Sequence, residues 1–283
     1  MNIKKRYKEM EKLYHYTSFE TAKKIIESNC LRFGVLSNMN DLHENDKMVF
    51  VDASGAPLDN LLTDVLDALH NEIYMYRQIS LTADGKEGDK EGFDLHQMWG
   101  LYAEKGDGVC LVFDKKELEE ELDKDDLRGR VSYEKSVDSF YVSLSNTPNS
   151  VGAEVKSHAE EIFFHKRKEW EHEQEYRLLR KCPVAERVEY LPLGHALKFV
   201  ILSSKLRDTD EVLFIKKIED IKNVVRRTED ARNVEEARRI PVLVYGNGLL
   251  EYSLCTEGGE KTLWNSKTGY DVPEIGENCK LDL

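Results

Sequence analysis

Within residues 12–26, KLYHYTSFETAKKII, an apolar–polar alternation gives way abruptly to helical spacing. Leu13, His15 and Thr17 fall on one side of a short extended stretch and Tyr14 and Tyr16 on the other, as the two-residue period of a strand requires. Thr17 with Glu20 fits the S/T-x-x-E capping box, in which a hydroxyl and a carboxylate satisfy backbone N–H groups at a helix start. Phe19, Ala22, Ile25, Ile26 and Cys30 then recur at helical spacing and give that helix an apolar face. A strand that feeds straight into a helix points to a mixed class, and it leaves His15 close to the join.

The remainder alternates in the same way. Leu58, Leu61, Leu62, Val65, Leu66, Leu69, Ile73 and Tyr76 predict an amphipathic helix over 58–78, and Ile79 to Thr82 alternates like a strand. ADGKEGDKEG at 83–92 reads as a loop, and Asn40-Asp41 as a turn. Gln97 to Ala103 is long enough for one or two helical turns, and Gly106-Asp107-Gly108 is a turn signal. Val109 to Phe113 is a continuous apolar run, as expected of a strand covered on both faces. A charged helix is predicted at 115–126, a short strand at 131–133 and a loop at 143–153. Helical pattern resumes through 154–170, and QEYRLLR at 174–180 is either the end of that helix or a new strand. Residues 196–203, 211–215 and 242–245 look β-like, while 216–240 is charged with helical spacing. The class is α+β, with one dominant domain over 1–205. Residues 206–283 are expected to be an extension packed on that core or a small appended element.

Charge and motif content exclude several functions. A net charge of −13 and a pI near 5.2 argue against broad adhesion to nucleic acid or to an anionic membrane. The five cysteines are scattered without a CxxC pair, so neither a zinc ribbon nor a disulfide framework is indicated. MNIKKRYKEMEK lacks the apolar core of a signal peptide, and no apolar run reaches the length of a bilayer span. The expectation is a soluble, cytoplasmic protein with reduced thiols. No GxxxxGK[ST], GxGxxG or GxSxG occurs to anchor a P-loop, Rossmann or serine-hydrolase reading. Asp41, His43 and Glu44, and likewise Glu171-His172-Glu173, are of metal-ligating types but lack the i, i+4 spacing that sets two ligands on one helix face. No metal is expected.

Four motifs occur in order: HYTS from His15, NDxxE (Asn40, Asp41, Glu44), MWxxYA followed by GVCLxFD at 98–114, and WxxExEYR at 170–177. Together they resemble a large bacterial family catalogued as a domain of unknown function, number 2971, over roughly residues 12–203. A second resemblance is to the ADP-ribosyltransferase superfamily, the NAD-cleaving proteins that include diphtheria-type toxins. It rests on LYHYTSFETAKKII, where a strand carrying a His runs into a helix, and on Glu173-Gln174-Glu175, which matches the superfamily's [E/Q]-x-E pair.

That resemblance implies a core of short mixed and antiparallel strands flanked by helices, with NAD as substrate. His15 would hydrogen-bond a ribose hydroxyl, with Tyr16 and Thr17 beside it and the following helix N-terminus supplying free N–H donors. Ser80-Leu81-Thr82 resembles the superfamily's hydroxyl-bearing strand. Trp99 and Tyr102, neighbours on one helix face, would form a platform for nicotinamide. Either Tyr102 or Tyr16 would fill the role of the superfamily's tyrosine. Glu175, with Glu173, would be the catalytic carboxylate, because cleaving the nicotinamide–ribose bond builds positive charge on the sugar. The acidic pair requires a break near Glu173, since a continuous helix over 166–177 would turn the two side chains about 200° apart.

Plainer roles compete at each position. His15, Trp99 and Tyr102 suit core packing, and Asn40, Asp41 and Glu44 suit a turn and helix cap. WEHEQEYR suits a solvated helix face with an i, i+4 pair between Glu173 and Arg177, and Arg177 could instead brace Asp41 or Glu44. The leading expectation is transfer of ADP-ribose from NAD to an unidentified macromolecular or small acceptor, or NAD cleavage to water, as toxin and antiphage effectors do. The alternatives are a non-catalytic nucleotide- or protein-binding module, and a metal-dependent nuclease built on Asp41, Glu44 and residues 171–175.

Overall fold

A computed structural model describes residues 7–36, 48–51, 63–85, 90–134, 140–143, 151–183, 187–205, 209–234, 239–246, 249–256 and 259–265. Asn40, Asp41 and Glu44, and residues 58–62 of the expected helix, lie outside them. In chain order the first elements are β1 (Lys12–Thr17), α1 (Phe19–Ser28), β2 (Cys30–Arg32), β3 (Gly34–Val35), β4 (Met48–Val51), α2 (Thr63–Tyr74) and β5 (Tyr76–Ala83). There follow α3 (His96–Tyr102), β6 (Val109–Asp114), α4 (Lys115–Glu120), β7 (Leu127–Arg130), β8 (Ser132–Glu134), β9 (Phe140–Ser143), α5 (Val151–Ser157) and α6 (Ala159–Phe163). The last are β10 (His165–Arg167), β11 (Glu175–Lys181), β12 (Tyr190–Pro192), β13 (Leu197–Ser203), α7 (Glu211–Ala231), β14 (Val242–Gly246), β15 (Leu249–Thr256) and β16 (Gly259–Asn265). The class is α+β. The chain divides into two compact units, one of Met1–Asn29, Phe93–Glu120 and Leu193–Leu283, the other of Cys30–Gly92 and Glu121–Pro192. β13, α7 and β14 belong to the first of these units.

In the first unit the strands run in the order β16-β15-β14-β13-β6-β1. Antiparallel pairing sets His15 opposite Leu111 and Thr17 opposite Val109. β13 and β14 are parallel, a pairing that needs a long crossover, and α7 supplies it. Residues 211–215, expected as a strand, are instead the first turn of α7. The Asp210 carboxylate accepts from the Leu213 N–H at 2.9 Å, and Phe214, Ile218, Ile221, Val224 and Val225 form one buried stripe. The same stripe principle shapes α1, whose Phe19, Ala22, Ile25 and Ile26 are buried. Its cap is Ser18 rather than Thr17: the Ser18 Oγ accepts from the Thr21 N–H at 3.1 Å. Thr17 is held extended in the ladder with β6 and is not free to cap. Asn29, at φ 54°, ends the helix, so Cys30 opens β2 instead of extending the apolar face.

In the second unit β11 lies between β5 and β7, antiparallel to both, and β3 adds to the far edge of β5. Leu69 and Ile73 of α2, Val155 of α5 and Ile162 and Phe163 of α6 pack with Tyr76 and Leu179 to make its core. The expected helix at 58–78 ends at Tyr74, and Tyr76 begins β5. The helical pattern over 154–170 breaks into α5, α6 and β10, because β10 pairs in parallel with β8, Lys166 opposite Tyr133. Residues 174–180 resolve as the strand β11. The charged helix at 115–126 stops at Glu120. Asp126 turns inward, where the Arg180 guanidinium donates to both of its oxygens at 2.6–3.1 Å.

Candidate functional site

The decisive local event in the second unit is at Gln174. A 3-10 helix covers Lys168–Glu173, Gln174 takes the left-handed conformation (φ 47°, ψ 45°), and β11 begins at Glu175. The break that an acidic pair requires is therefore present, and Glu173 and Glu175 are both turned inward, each with a side chain 5% exposed.

Four buried charges converge there. The Lys166 Nζ donates to Glu173 Oε2 at 2.6 Å and stands 3.5 Å from Glu175 Oε2. Glu175 and Arg177 are two apart on one strand and so share a face. Arg177 Nε donates to Glu175 Oε1 at 2.9 Å and Nη2 to Oε2 at 2.8 Å, while Nη1 donates to the Phe163 carbonyl at 2.6 Å. From β5, Gln78 Nε2 donates to Ser80 Oγ at 2.7 Å and to Glu175 Oε1 at 3.3 Å. The Glu175 N–H donates to the Tyr133 hydroxyl at 2.9 Å, which fixes the start of β11 against β8.

The electrostatics follow from this packing. Burial alone would push the Glu175 carboxyl up, but Arg177, then Lys166 and the Ser80 hydroxyl, hold it down at about 2. Glu175 is thus a permanent anion, able to accept hydrogen bonds and stabilise positive charge but not to donate a proton. Burial, with Glu175 nearby, pushes the Tyr133 phenol upward and keeps it protonated.

Of the residues singled out from sequence, Ser80, Glu173, Glu175 and Arg177 meet in this cluster, and Thr82 lies opposite Glu175 in the strand register. Arg177 does not form the i, i+4 helix pair with Glu173, because both oxygens of Glu175 take its donors along a strand. Lys166, Gln78 and Tyr133 escaped sequence reasoning. The i, i+2 spacing of Gln78 and Ser80 was a usable signal. Lys166 gave none, since HKR at 165–167 sits inside a run with helical pattern.

His15, Tyr16, Thr17, Trp99 and Tyr102 belong to the first unit. His15 is partly exposed on β1. Trp99 is 5% exposed, edge-on to Tyr16 at 5.2 Å, stacked on Tyr245 at 5.7 Å, and donates its indole N–H to the Phe93 carbonyl at 2.8 Å. Its ring is enclosed in the core, with Tyr102 partly buried against the same cluster, so the expected nicotinamide platform is not open at Trp99. Burial and the nearby Cys110 push the Tyr16 phenol far up. Nor does the start of α1 offer its N–H groups freely: Glu104 Oε2 accepts from Phe19 N at 3.1 Å and Ser18 takes Thr21 N. Gly108 explains the Gly-Asp-Gly turn, since a Cβ there would lie 2.3 Å from the Thr17 carbonyl oxygen.

Among the described residues no group of three or more His, Cys, Asp or Glu could hold a metal ion, and no helix is long and apolar enough to cross a membrane. The sequence profile of a family described as "Protein of unknown function (DUF2971)" matches residues 98–178, from the MWxxYA motif to β11. No curated protein and no solved structure matches the chain.

Proposed function

We propose that this chain, whose residues 98–178 match a family profile whose name assigns no reaction, cleaves NAD, passing ADP-ribose to an acceptor or to water. The observation that carries this reading is the break at Gln174, which turns Glu173 and Glu175 inward together and leaves Glu175 a buried anion. As nicotinamide leaves with the bonding electron pair, positive charge spreads over the ribose C1′ and ring oxygen. A fixed carboxylate that holds a ribose hydroxyl stabilises that state, and an anion at every physiological pH serves better than an acid. Water or an acceptor nucleophile then bonds to C1′ and releases its proton to solvent. Gln78 donates to Glu175 Oε1 at 3.3 Å, beside the partly exposed Ser80. A ribose hydroxyl would take the place of that amide.

Incubation with NAD and chromatographic detection of free nicotinamide tests the proposal. Release by the wild type, lost in Glu175→Gln at an unchanged folded fraction, is the expected result. A second reading, nucleotide binding without turnover, is favoured by the engagement of both Glu175 oxygens by Arg177. Saturable NAD binding with no nicotinamide release would select it.

A further inference from the structure

Three side chains of metal-ligating type meet in the first unit, away from the motifs singled out in the sequence. Tyr245, on β14, donates its hydroxyl to Asp94 Oδ1, and His96 Nε2 stands 3.5 Å from the same phenol oxygen. Asp94 ends a 3-10 turn over Gly92–Asp94 and His96 opens α3. The two flank Leu95, whose backbone hydrogen-bonds to the Tyr16 hydroxyl and so ties this bend to β1. Tyr245 joins them from 149 positions beyond His96, a separation that no spacing rule covers. We propose that Asp94, His96 and Tyr245 form a binding site for a ferric ion. The inference goes beyond NAD cleavage and does not rest on it, since Glu173 and Glu175 belong to the second unit.

The geometry asks for more than a hydrogen bond. Tyr245 and Asp94 already make a complete donor–acceptor pair, and His96 at 3.5 Å lies beyond the usual hydrogen-bond range. Two ligands each about 2.1 Å from one ion, by contrast, stand about 3.0–3.4 Å apart at octahedral or tetrahedral angles. Asp94 and Tyr245 are closer than that because a proton lies between them, and a cation in its place needs them to part by a fraction of an ångström. The displaced phenol proton passes to solvent, while carboxylate, phenolate and neutral imidazole each give the ion an electron pair. The donor set selects the ion. It holds no soft donor, which disfavours copper(I), and displacing a phenol proton takes a cation of high charge, which iron(III) is and magnesium and calcium are not. Tyrosinate is also a known ligand of iron. The site is pre-organised and open to solvent. Trp99 stacks on the Tyr245 ring at 5.7 Å and Phe93 meets it edge-on at 5.4 Å, whereas His96 is exposed and Asp94 partly so. An ion can therefore enter from water and keep water at its remaining positions.

The test is titration of the metal-free full chain with iron(III), supplied as its nitrilotriacetate complex, followed by visible absorption and by the iron retained after gel filtration. Iron(III) on a phenolate gives a visible charge-transfer band, and one retained equivalent carrying that band is the expected result. Tyr245→Phe keeps the ring against Trp99 and Phe93 but should abolish both the band and the retained iron. His96→Ala, at an exposed side chain, and Asp94→Asn should each lower the affinity at least about tenfold. Absence of the band in the wild type overturns the proposal, as does a band undiminished in Tyr245→Phe or an affinity unchanged in either of the other variants. If Tyr245→Phe does not fold, a loss of affinity in both His96→Ala and Asp94→Asn sustains the proposal and its absence in either overturns it. Retention of zinc with exclusion of iron(III) overturns the assignment to a trivalent ion.

Discussion

Replacing Arg177 by Met tests the buried charge cluster on stability alone. Arg177 is 2% exposed, and its guanidinium makes two bonds to Glu175 and one to Phe163. Glu175 is drawn from an ordinary carboxyl value of 4.5 to about 2, which corresponds to about 3 kcal/mol of stabilisation at neutral pH. Since burial by itself pushes the other way, loss of Arg177 removes that gain and uncovers the desolvation of the carboxylate. Breaking a buried pair in this manner costs about 3–5 kcal/mol at pH 7. The sign of the pH dependence follows from a depressed carboxyl: its contribution is complete above about 4.5 and is lost as pH falls through about 2. At pH 3 about 2 kcal/mol of the wild-type advantage has gone, because the unfolded chain already binds the proton. Urea unfolding followed by far-UV circular dichroism at pH 7 and pH 3 should therefore show a deficit for Arg177→Met that shrinks by about that amount. A deficit below about 1 kcal/mol at pH 7, or one equal at both pH values, would refute the reasoning.

Three further substitutions probe the first unit by thermal melting. Gly108→Ala places a Cβ 2.3 Å from the Thr17 carbonyl oxygen and 2.8 Å from the Ala103 carbonyl carbon, so backbone must move; a loss of more than about 2 kcal/mol is expected. Gly100→Ala, within α3 and with nothing inside 4 Å of the new Cβ, should be neutral or stabilising by up to about 1 kcal/mol. Ser18→Ala removes the acceptor for the Thr21 N–H and should lower stability by about 1 kcal/mol; an unchanged melting temperature would place the cap elsewhere.

Local periodicity made some elements legible from sequence and left others hidden. α1 and β6 could be read because Phe19, Ala22, Ile25 and Ile26 mark a helical face and Val109 to Phe113 an unbroken apolar run. The start of α7 was misread because EVLFI, taken alone, suits a strand as well as a helix, and it is the cap at Asp210 that decides. The path from Phe164 to Glu175 was opaque for a different reason. Parallel pairing of β10 with β8 is long-range, and a left-handed glutamine has no marker in the sequence. Glu173 and Glu175 were singled out by their match to the [E/Q]-x-E pair and Ser80 by its resemblance to a hydroxyl-bearing strand, whereas Lys166 entered the cluster by tertiary packing that no spacing rule contains. Trp99 shows the opposite limit. Spacing put it on one helix face with Tyr102, but enclosure by Tyr16 and Tyr245 depends on strands distant in the chain.

The most direct measurement is the rate of nicotinamide release from NAD labelled in its nicotinamide ring, taken on wild type and Glu175→Gln with folded fractions matched by circular dichroism. Release by the wild type that falls by at least about two orders of magnitude in the variant is the predicted result, in line with the loss of an electrostatic stabiliser at a developing charge. Equal release from both proteins, or none from a folded wild type, would contradict the assignment of Glu175 to NAD cleavage.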